Sequence, residues 1–457
     1  MPNRREELEQ LDKETLIDDY LLLEKRLKTL EQQMVDLKRA LGIKPVKSSK
    51  NSSLPPSQDQ KANVKAKKKG KRGAKKGHQG TSRRRSEADE IIECRVSECQ
   101  ECGADLSGLP QHIAARHQVI DIPPLGTIVR EVLRYGRYCP CCQSYQRAKA
   151  PQGFERGRVV GENLEHLVLY LHYAHPLSYE RVARILNEVY GLELREGTLV
   201  NIVERRKNRL KQAAHAIREQ LRQAPVVGSD ETTARVEGVS HWQWVFQTPK
   251  LAYYVIEPSR SAQVIADVME DAATEVWVSD VLSSQMCHPA AAYQICLAHQ
   301  IRDLQYLIDS HQCEWAAQMQ ALFRRAIHLH KLRDSLSRKR FELFAQAYEW
   351  RLGKLLAQSP PSEDSQRLWR RFHKHRNALL LFLERADVPP TNNASEQALR
   401  NSVIYRKVTG GFRSDWGAEL YANLISILET ARRTGRSIFE TLKMIFAPQP
   451  DFSWIAE

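Results

Sequence analysis

The sequence of 457 residues lacks any run of the roughly 18–20 apolar residues that a membrane-spanning helix requires. Its first ten residues, MPNRREELEQ, are charged where a secretory signal would need an apolar run. These two absences predict a cytoplasmic protein with no membrane partner. A wholly disordered chain is also excluded, because 42% of the residues are apolar, which is enough to bury a sizeable core.

A second absence is local, since residues 47–85 contain one acid, Asp59, against 14 Lys and Arg. Most of the net charge of +14 comes from this segment, which is also too poor in apolar residues to fold alone. We predict a basic disordered linker over residues 42–90 that neutralises DNA phosphates without sequence specificity. A solvated basic tail is the alternative. The linker residues predicted to bind DNA are Lys67, Lys68, Lys69, Lys71, Arg72, Lys75, Lys76, Arg83, Arg84 and Arg85.

Residues 12–41 carry apolar side chains at the spacing of a coiled coil. Four leucines fall seven residues apart, and a second apolar set fills the alternate core positions: Leu16, Leu23, Leu30 and Leu37, then Tyr20, Leu27, Met34 and Leu41. Gly42 and Pro45 end the helix, and a polar tract follows. This pattern favours self-association into a homo-oligomer over the alternative, an amphipathic helix packed on its own domain.

The nine cysteines of a cytoplasmic chain are expected to be thiols or metal ligands rather than disulfides. Two Cys-x2-Cys pairs, Cys99 with Cys102 and Cys139 with Cys142, lie within residues 91–150. Paired knuckles of this kind place four thiolates around Zn²⁺, and the metal supplies folding energy that a small segment lacks. We therefore predict a structural zinc module, although the gap between the pairs is longer than in common zinc ribbons.

Residues 158–222 are predicted to be helical, with a break between SYERVARILNEVYG and LELREGTLVNIVERRKNRL. Gly191 and Gly197 flank the break. A helix-turn-helix that reads the DNA major groove is one interpretation. Two helices packed on each other without DNA are an equally good one.

From residue 223 the pattern changes to short runs rich in Val, Trp, Tyr and Phe, which predict strands. The predicted order is three strands, a helix, the strand EVWVSD, a short strand YQIC and a helix. This order fits a ribonuclease-H-like mixed sheet. We assign residues 223–300 and 389–457 to the two parts of this domain, and residues 301–388 to a basic, all-helical insertion that either clamps DNA or presents a solvated face.

Two aspartates occupy strand positions in this predicted domain. Asp230 lies on or just after the first strand, and Asp280 ends the fourth strand after Val276, Trp277 and Val278. Carboxylates fixed at a sheet rim can hold Mg²⁺, which prefers oxygen ligands and keeps waters for substrate phosphates. Two strand-end aspartates alone remain a weak signal.

The C-terminal block TNNASEQALR, together with NSSLPPSQD, GKRGAKKGHQG and the CxxC pairs, resembles the insertion sequence 66 family of transposases. The resemblance covers most of the chain. It implies a multidomain α+β protein with a ribonuclease-H-like catalytic domain, in the bacterial cytoplasm at the nucleoid. It also implies an Asp-Asp-Glu triad at Asp230, Asp280 and Glu396 that binds two Mg²⁺ or Mn²⁺ ions and cuts and joins DNA strands.

Three features around the implied triad bear on this interpretation. Asn393 is expected to cap a helix that begins at Ala394, which would put Glu396 in a capping box. The residues after Asp280 differ from the glycine and aromatic expected in the family, so the turn there must differ. Cys296 and His299 match the family's Cys-x2-His and suggest half of a metal site, but no second half is evident in the sequence, so a buried helix start is preferred.

The resulting hypothesis is a transposase that binds double-stranded DNA, both the terminal inverted repeats of its element and the target. Arg400 is a further predicted DNA contact, and accessory proteins of the same element are possible partners. The alternative is a catalytically inactive or domesticated DNA-binding regulator with the same fold. The intact acid trio favours the enzyme.

Overall fold

In a computed structural model of the chain, the described residues run from 87 to 455 with gaps at 117, 121–125, 152 and 155–156, together with scattered residues between 22 and 51. Most of the predicted coiled coil and nearly all of the predicted basic linker, including its ten DNA-binding Lys and Arg residues, lie outside them. Among the described residues, no helix is both long enough and apolar enough to cross a membrane.

The first helical segment consists of three helices and one irregular turn. Ser178 starts the second helix by accepting a hydrogen bond from the backbone N–H of Arg181, and Gly191 ends it with φ 66°. Apolar residues of the third helix are buried along its whole length, from Leu199 to Leu221. In order, the elements are α1 (Glu162–Leu169), a π-helical turn (Tyr170–Ala174), α2 (Tyr179–Tyr190) and α3 (Glu196–Arg222).

These helices share a hydrophobic core with the sheet that follows. The C-terminal half of α3 packs on the last antiparallel strand of that sheet and on a C-terminal helix described below. Residues 158–222 are therefore not a separately packed unit, and their two-helix arrangement is explained by burial without DNA. The interpretation as a DNA-reading motif stays a prediction.

The central sheet has five strands in the order β5-β4-β3-β6-β7. The β3, β4 and β5 strands form an antiparallel meander, while β6 and β7 run parallel to β3. Strands and order agree with the sequence prediction, and the mixed sheet is consistent with a ribonuclease-H-like domain. The strands are β3 (Val226–Val236), β4 (Val239–Gln247), β5 (Ala252–Glu257), β6 (Thr274–Ser279) and β7 (Ala290–Ile295); a separate hairpin is formed by β1 (Gly136–Cys139) and β2 (Ser144–Arg147).

A second hydrophobic core lies where β6 and β7 meet the helices that follow them. The chain from β7 to residue 384 is entirely helical in its regular structure, as the sequence predicts for the insertion. The helices are α4 (Ala262–Met269), α5 (Leu297–His311), α6 (Glu314–Lys331), α7 (Arg338–Leu356), α8 (Glu363–Lys374) and α9 (Leu381–Glu384).

The C-terminal helices return to the first core. The α10 helix (Asn393–Thr409) packs on β3 and β4, and α11 (Asp415–Arg433) packs on β5 and α3. A final helix, α12 (Ile438–Phe446), covers α3. Two hydrogen bonds fix α10 on the sheet: Gln243 Nε2 donates to Ser402 Oγ at 2.8 Å, and the Tyr254 hydroxyl donates to the Ala398 carbonyl at 3.1 Å. This anchoring matters because α10 carries Glu396.

Candidate active site

Strand register brings the two predicted aspartates to the same level of the sheet. Gly228 of β3 pairs with Val278 of the parallel strand β6, and each aspartate lies two residues further on. Asp230 is in the middle of β3, whereas Asp280 follows the last residue of β6. Residues that are equally far along two adjacent parallel strands from a paired position stay side by side. Asp230 on β3 and Asp280 after β6 therefore lie side by side, at the end of the sheet where β6 ends.

The electrostatics of this edge are unfavourable for buried acids. Burial, together with the negative charges of Glu231 and Asp280, raises the pKa of Asp230 to about 8. Asp230 Oδ1 accepts a hydrogen bond of 2.9 Å from the backbone N–H of Glu231. Asp280 Oδ1 accepts one of 3.0 Å from the N–H of Leu282, which closes the turn that replaces the expected glycine and aromatic. A buried carboxylate beside further negative charge suits a hard divalent cation, which would stabilise the ionised form of Asp230.

The third predicted acid, Glu396, lies in the first turn of α10. The helix is capped one residue earlier than the sequence predicts, at Asn392. The Asn392 amide is engaged in tertiary contacts, since Nδ2 donates to the Ser229 carbonyl at 2.7 Å and Oδ1 accepts from Ser395 Oγ at 2.6 Å. The predicted Asn393 cap was therefore wrong. The Glu396 side chain points instead toward α5.

At the start of α5, Glu396 meets the Cys-x2-His pair. The candidate ligand atoms of Cys296, His299 and Glu396 all lie within 4.8 Å of one another. His299 Nδ1 is 3.8 Å from Glu396 Oε1, and Arg302 Nη2 is 3.7 Å from Glu396 Oε2. The sequence did not reveal a partner for the pair; the structure supplies Glu396 from a distant part of the chain.

His299 interacts with Asp230 on the sheet and with Glu396 on α10. Burial lowers the pKa of His299, but its interactions with Cys296 and Glu396 outweigh burial and raise it to about 9. His299 also interacts electrostatically with Asp230, whose pKa it lowers. Asp230, Asp280 and Glu396 themselves do not form a trio within 4.8 Å among the described residues. His299 is thus the charged group that interacts with both Asp230 and Glu396.

Glu231, the acid next to Asp230, was not predicted from the sequence to belong to the site. Successive strand residues face opposite sides of a sheet, so Glu231 lies on the other face. There its carboxylate accepts hydrogen bonds from Arg260 Nη2 at 2.6 Å and from Gln285 Nε2 at 2.8 Å. Gln285 Oε1 in turn accepts from Trp277 Nε1 at 3.1 Å. Period-two alternation was the signal that could have separated this acid from Asp230.

The predicted zinc ligands form two separate knuckles. Cys99 closes the first, where its carbonyl accepts from the N–H of Gly103 at 2.9 Å and its N–H donates to the Ala104 carbonyl at 2.9 Å. Cys139 ends β1, and Cys142 lies in the hairpin turn. The two pairs are not brought within 4.8 Å as a group of three or four. A four-thiolate zinc site stays a prediction.

Comparison with known proteins now bears on this geometry. Residues 157–420, more than half of the chain, match the family described as Transposase IS66 family. The chain belongs to the IS66 transposase family. The matched region begins just before α1 and includes both aspartates, Glu396 and the Cys-x2-His pair.

Two further matches concern this IS66 family member. Residues 2–84 match a family of unknown function. An uncharacterized protein, y4jO, of Sinorhizobium fredii (strain NBRC 101917 / NGR234) is 27% identical over 150 residues, which are 33% of this chain and 46% of that protein. The match thus spans less than half the length of this relative.

Proposed function

We propose that this protein cuts DNA at the ends of a mobile element and joins the freed ends to target DNA, with Asp230, Asp280 and Glu396 as ligands of Mg²⁺ or Mn²⁺. Family membership supports the transposase role. The observation that carries the finer proposal is the β3–β6 register, which sets Asp230 and Asp280 level on adjacent parallel strands. Packing of α10 on β3 supports Glu396 as the third member.

The donor chemistry supports the proposed role of the aspartates. Both offer carboxylate oxygens from backbone positions fixed by the sheet, as oxygen-seeking ions require. When bound, two such ions supply activation of the attacking oxygen and stabilisation of the departing one. The residues themselves position these charges, and no covalent intermediate with the enzyme is required.

The helical insertion offers a surface for DNA. Exposed basic side chains lie on α6 and α7, among them Arg324, Arg325, Lys331, Lys339 and Arg340. We propose that this surface contacts phosphates of the bound DNA, alongside the basic linker and Arg400, which is exposed on α10. Such contacts would strengthen binding without reading sequence and would weaken as salt rises.

The test is cleavage of a labelled duplex that carries an element end, with Mg²⁺, Mn²⁺ or EDTA. We expect Asp230→Asn, Asp280→Asn and Glu396→Gln each to lower the cleavage rate by at least about a hundredfold, because each removes part of several kcal/mol of charge stabilisation. Asp271→Asn is the matched control, since Asp271 is exposed on the same domain. It should cleave like the wild type.

Joining is scored in the same reaction by transfer of the freed 3′ end to a second duplex. Wild-type activity in all three acid variants would overturn the assignment. A protein that binds the duplex but cleaves it in no metal would identify the alternative, a DNA-binding regulator with this fold.

A further inference from the structure

Cys296, His299 and Glu396 form a group with ligand atoms of three kinds. Cys296 caps α5 and is completely buried, and His299 follows within the first turn of the same helix. Glu396 reaches them from the first turn of α10, and the three ligand atoms lie within 4.8 Å of one another. The first turns of α5 and α10 therefore meet at one point close to Asp230.

Two of these atoms are buried without a hydrogen bond. His299 Nδ1 and Glu396 Oε1 are both inaccessible to water, and neither has a hydrogen-bond partner. Their separation of 3.8 Å is too long for a hydrogen bond. Buried polar atoms without partners are costly and indicate an ordered water or ion. Two nitrogen or oxygen ligands on a tetrahedral zinc ion lie about 3.4 Å apart, so this pair is a few tenths of an ångström from the separation that zinc requires.

The surrounding contacts resemble those that support metal ligands. The backbone N–H of Asn392 donates to Cys296 Sγ at 3.1 Å. Arg302 lies 3.7 Å from the second carboxylate oxygen of Glu396 and leaves Oε1 directed at His299. Outer partners of this kind orient ligands and tune their affinity.

We propose that Cys296, His299 and Glu396 bind a divalent cation of the zinc class. A thiolate, an imidazole and a carboxylate suit Zn²⁺, whereas Mg²⁺ takes oxygen ligands. Three protein ligands leave a fourth position for water or a substrate oxygen, as in open zinc sites. The proposed zinc site goes beyond the proposed function. Its thiolate and imidazole ligands differ from the carboxylates of Asp230 and Asp280, and zinc binding there does not require DNA cleavage. Glu396 is the residue that both proposals share.

The experiment measures zinc on the full-length protein without DNA. Chelator-treated protein is titrated with Zn²⁺ against a chromophoric chelator, and Co²⁺ is used in parallel to detect thiolate coordination by visible absorption. We expect Cys296→Ser, His299→Gln and Glu396→Gln each to lose one bound ion per chain or to bind it at least tenfold more weakly. Cys313→Ser, which changes a second buried cysteine at the start of α6, should bind as the wild type does.

Two further variants separate this site from the others. The double variant Cys99→Ser with Cys139→Ser disrupts the predicted knuckle site and should keep this ion. Asp230→Asn should also keep it, so loss of cleavage and loss of zinc are distinguishable. Wild-type zinc binding in both His299→Gln and Glu396→Gln would overturn the proposal, as would zinc loss confined to the knuckle variant. If Cys296→Ser fails to fold, Glu396→Gln still tests zinc binding at this site, because Glu396 is partly exposed and its substitution should leave the fold intact.

Discussion

Acid should destabilise this protein through His172, a buried histidine on the π-helical turn. Its Nδ1 lies 2.5 Å from the Leu177 carbonyl, its Nε2 lies 3.0 Å from the Tyr405 hydroxyl, and its ring stacks on Tyr179 at 3.9 Å between centroids. Burial lowers the pKa of His172 from 6.5 to about 4. Because the unfolded chain then binds the proton before the folded protein does, stability is complete above pH 6.5 and falls progressively toward pH 4.

The shift sets the size of the effect. At pH 4.5 the His172 contribution amounts to a loss of about 2.5 kcal/mol in the free energy of unfolding, relative to pH 7.5. His172→Gln keeps a donor and an acceptor but no titrating group. The variant should be about 1 kcal/mol less stable than the wild type at pH 7.5, through the lost ring contacts. It should be the more stable of the two at pH 4.5.

Urea unfolding followed by tryptophan fluorescence between pH 7.5 and 4.5 provides the measurement. His215→Gln is the control, because His215 is exposed on α3 and its removal should leave the pH profile unchanged. The informative quantity is the difference between the variant and the wild type at each pH. If that difference is constant across the range, the reasoning from burial is refuted.

Three substitutions, one of them with a comparison variant, test local packing and ion pairing by the same unfolding assay. Gln285→Leu should cost about 2–3 kcal/mol, since it leaves the Glu231 carboxylate and a tryptophan N–H with fewer partners in a buried network; an unchanged midpoint would contradict it. Gly411→Ala should cost more than about 1 kcal/mol, because φ is +104° and the added Cβ would lie 3.1 Å from a backbone carbonyl. The comparison variant Gly410→Asn should cost less, because Asn tolerates the left-handed backbone at φ +76° and its Cβ meets open space. Glu165→Ala should cost about 2–3 kcal/mol, because it removes the buried carboxylate that pairs with the partly buried Arg206 guanidinium, and a loss below about 1 kcal/mol would argue against that ion pairing.

The strands and the two aspartates were predictable because their pattern is local. Runs such as those of β4 and β6 combine β-branched and aromatic residues, and the structure buries them. Asp280 could be assigned to a strand end because three apolar residues precede it. The parallel register of β3 and β6, which places Asp280 beside Asp230, could not be predicted from the sequence.

Features that depend on distant contacts were not predictable. The helix start at Asn392 differs from the predicted Asn393 because the Asn392 amide bonds Ser229 on β3, a contact that no local capping pattern contains. The third member of the Cys296–His299 group comes from α10, beyond the whole helical insertion. The second half of α3 is buried by the sheet and α11, so its apolar residues alone could not identify the partner.

Of the two neighbouring acids on β3, Asp230 is a stronger functional candidate than Glu231. Glu231 has side-chain partners on its own face of the sheet, since it accepts hydrogen bonds from Arg260 and Gln285, although burial still raises its pKa. Asp230 lies on the opposite face, and burial together with the negative charges of Glu231 and Asp280 raises its pKa to about 8. An acid in that environment lowers the stability of the folded protein at neutral pH. Packing alone would favour an uncharged residue there, so the buried carboxylate of Asp230 supports the proposal that it binds a cation more than a role in folding.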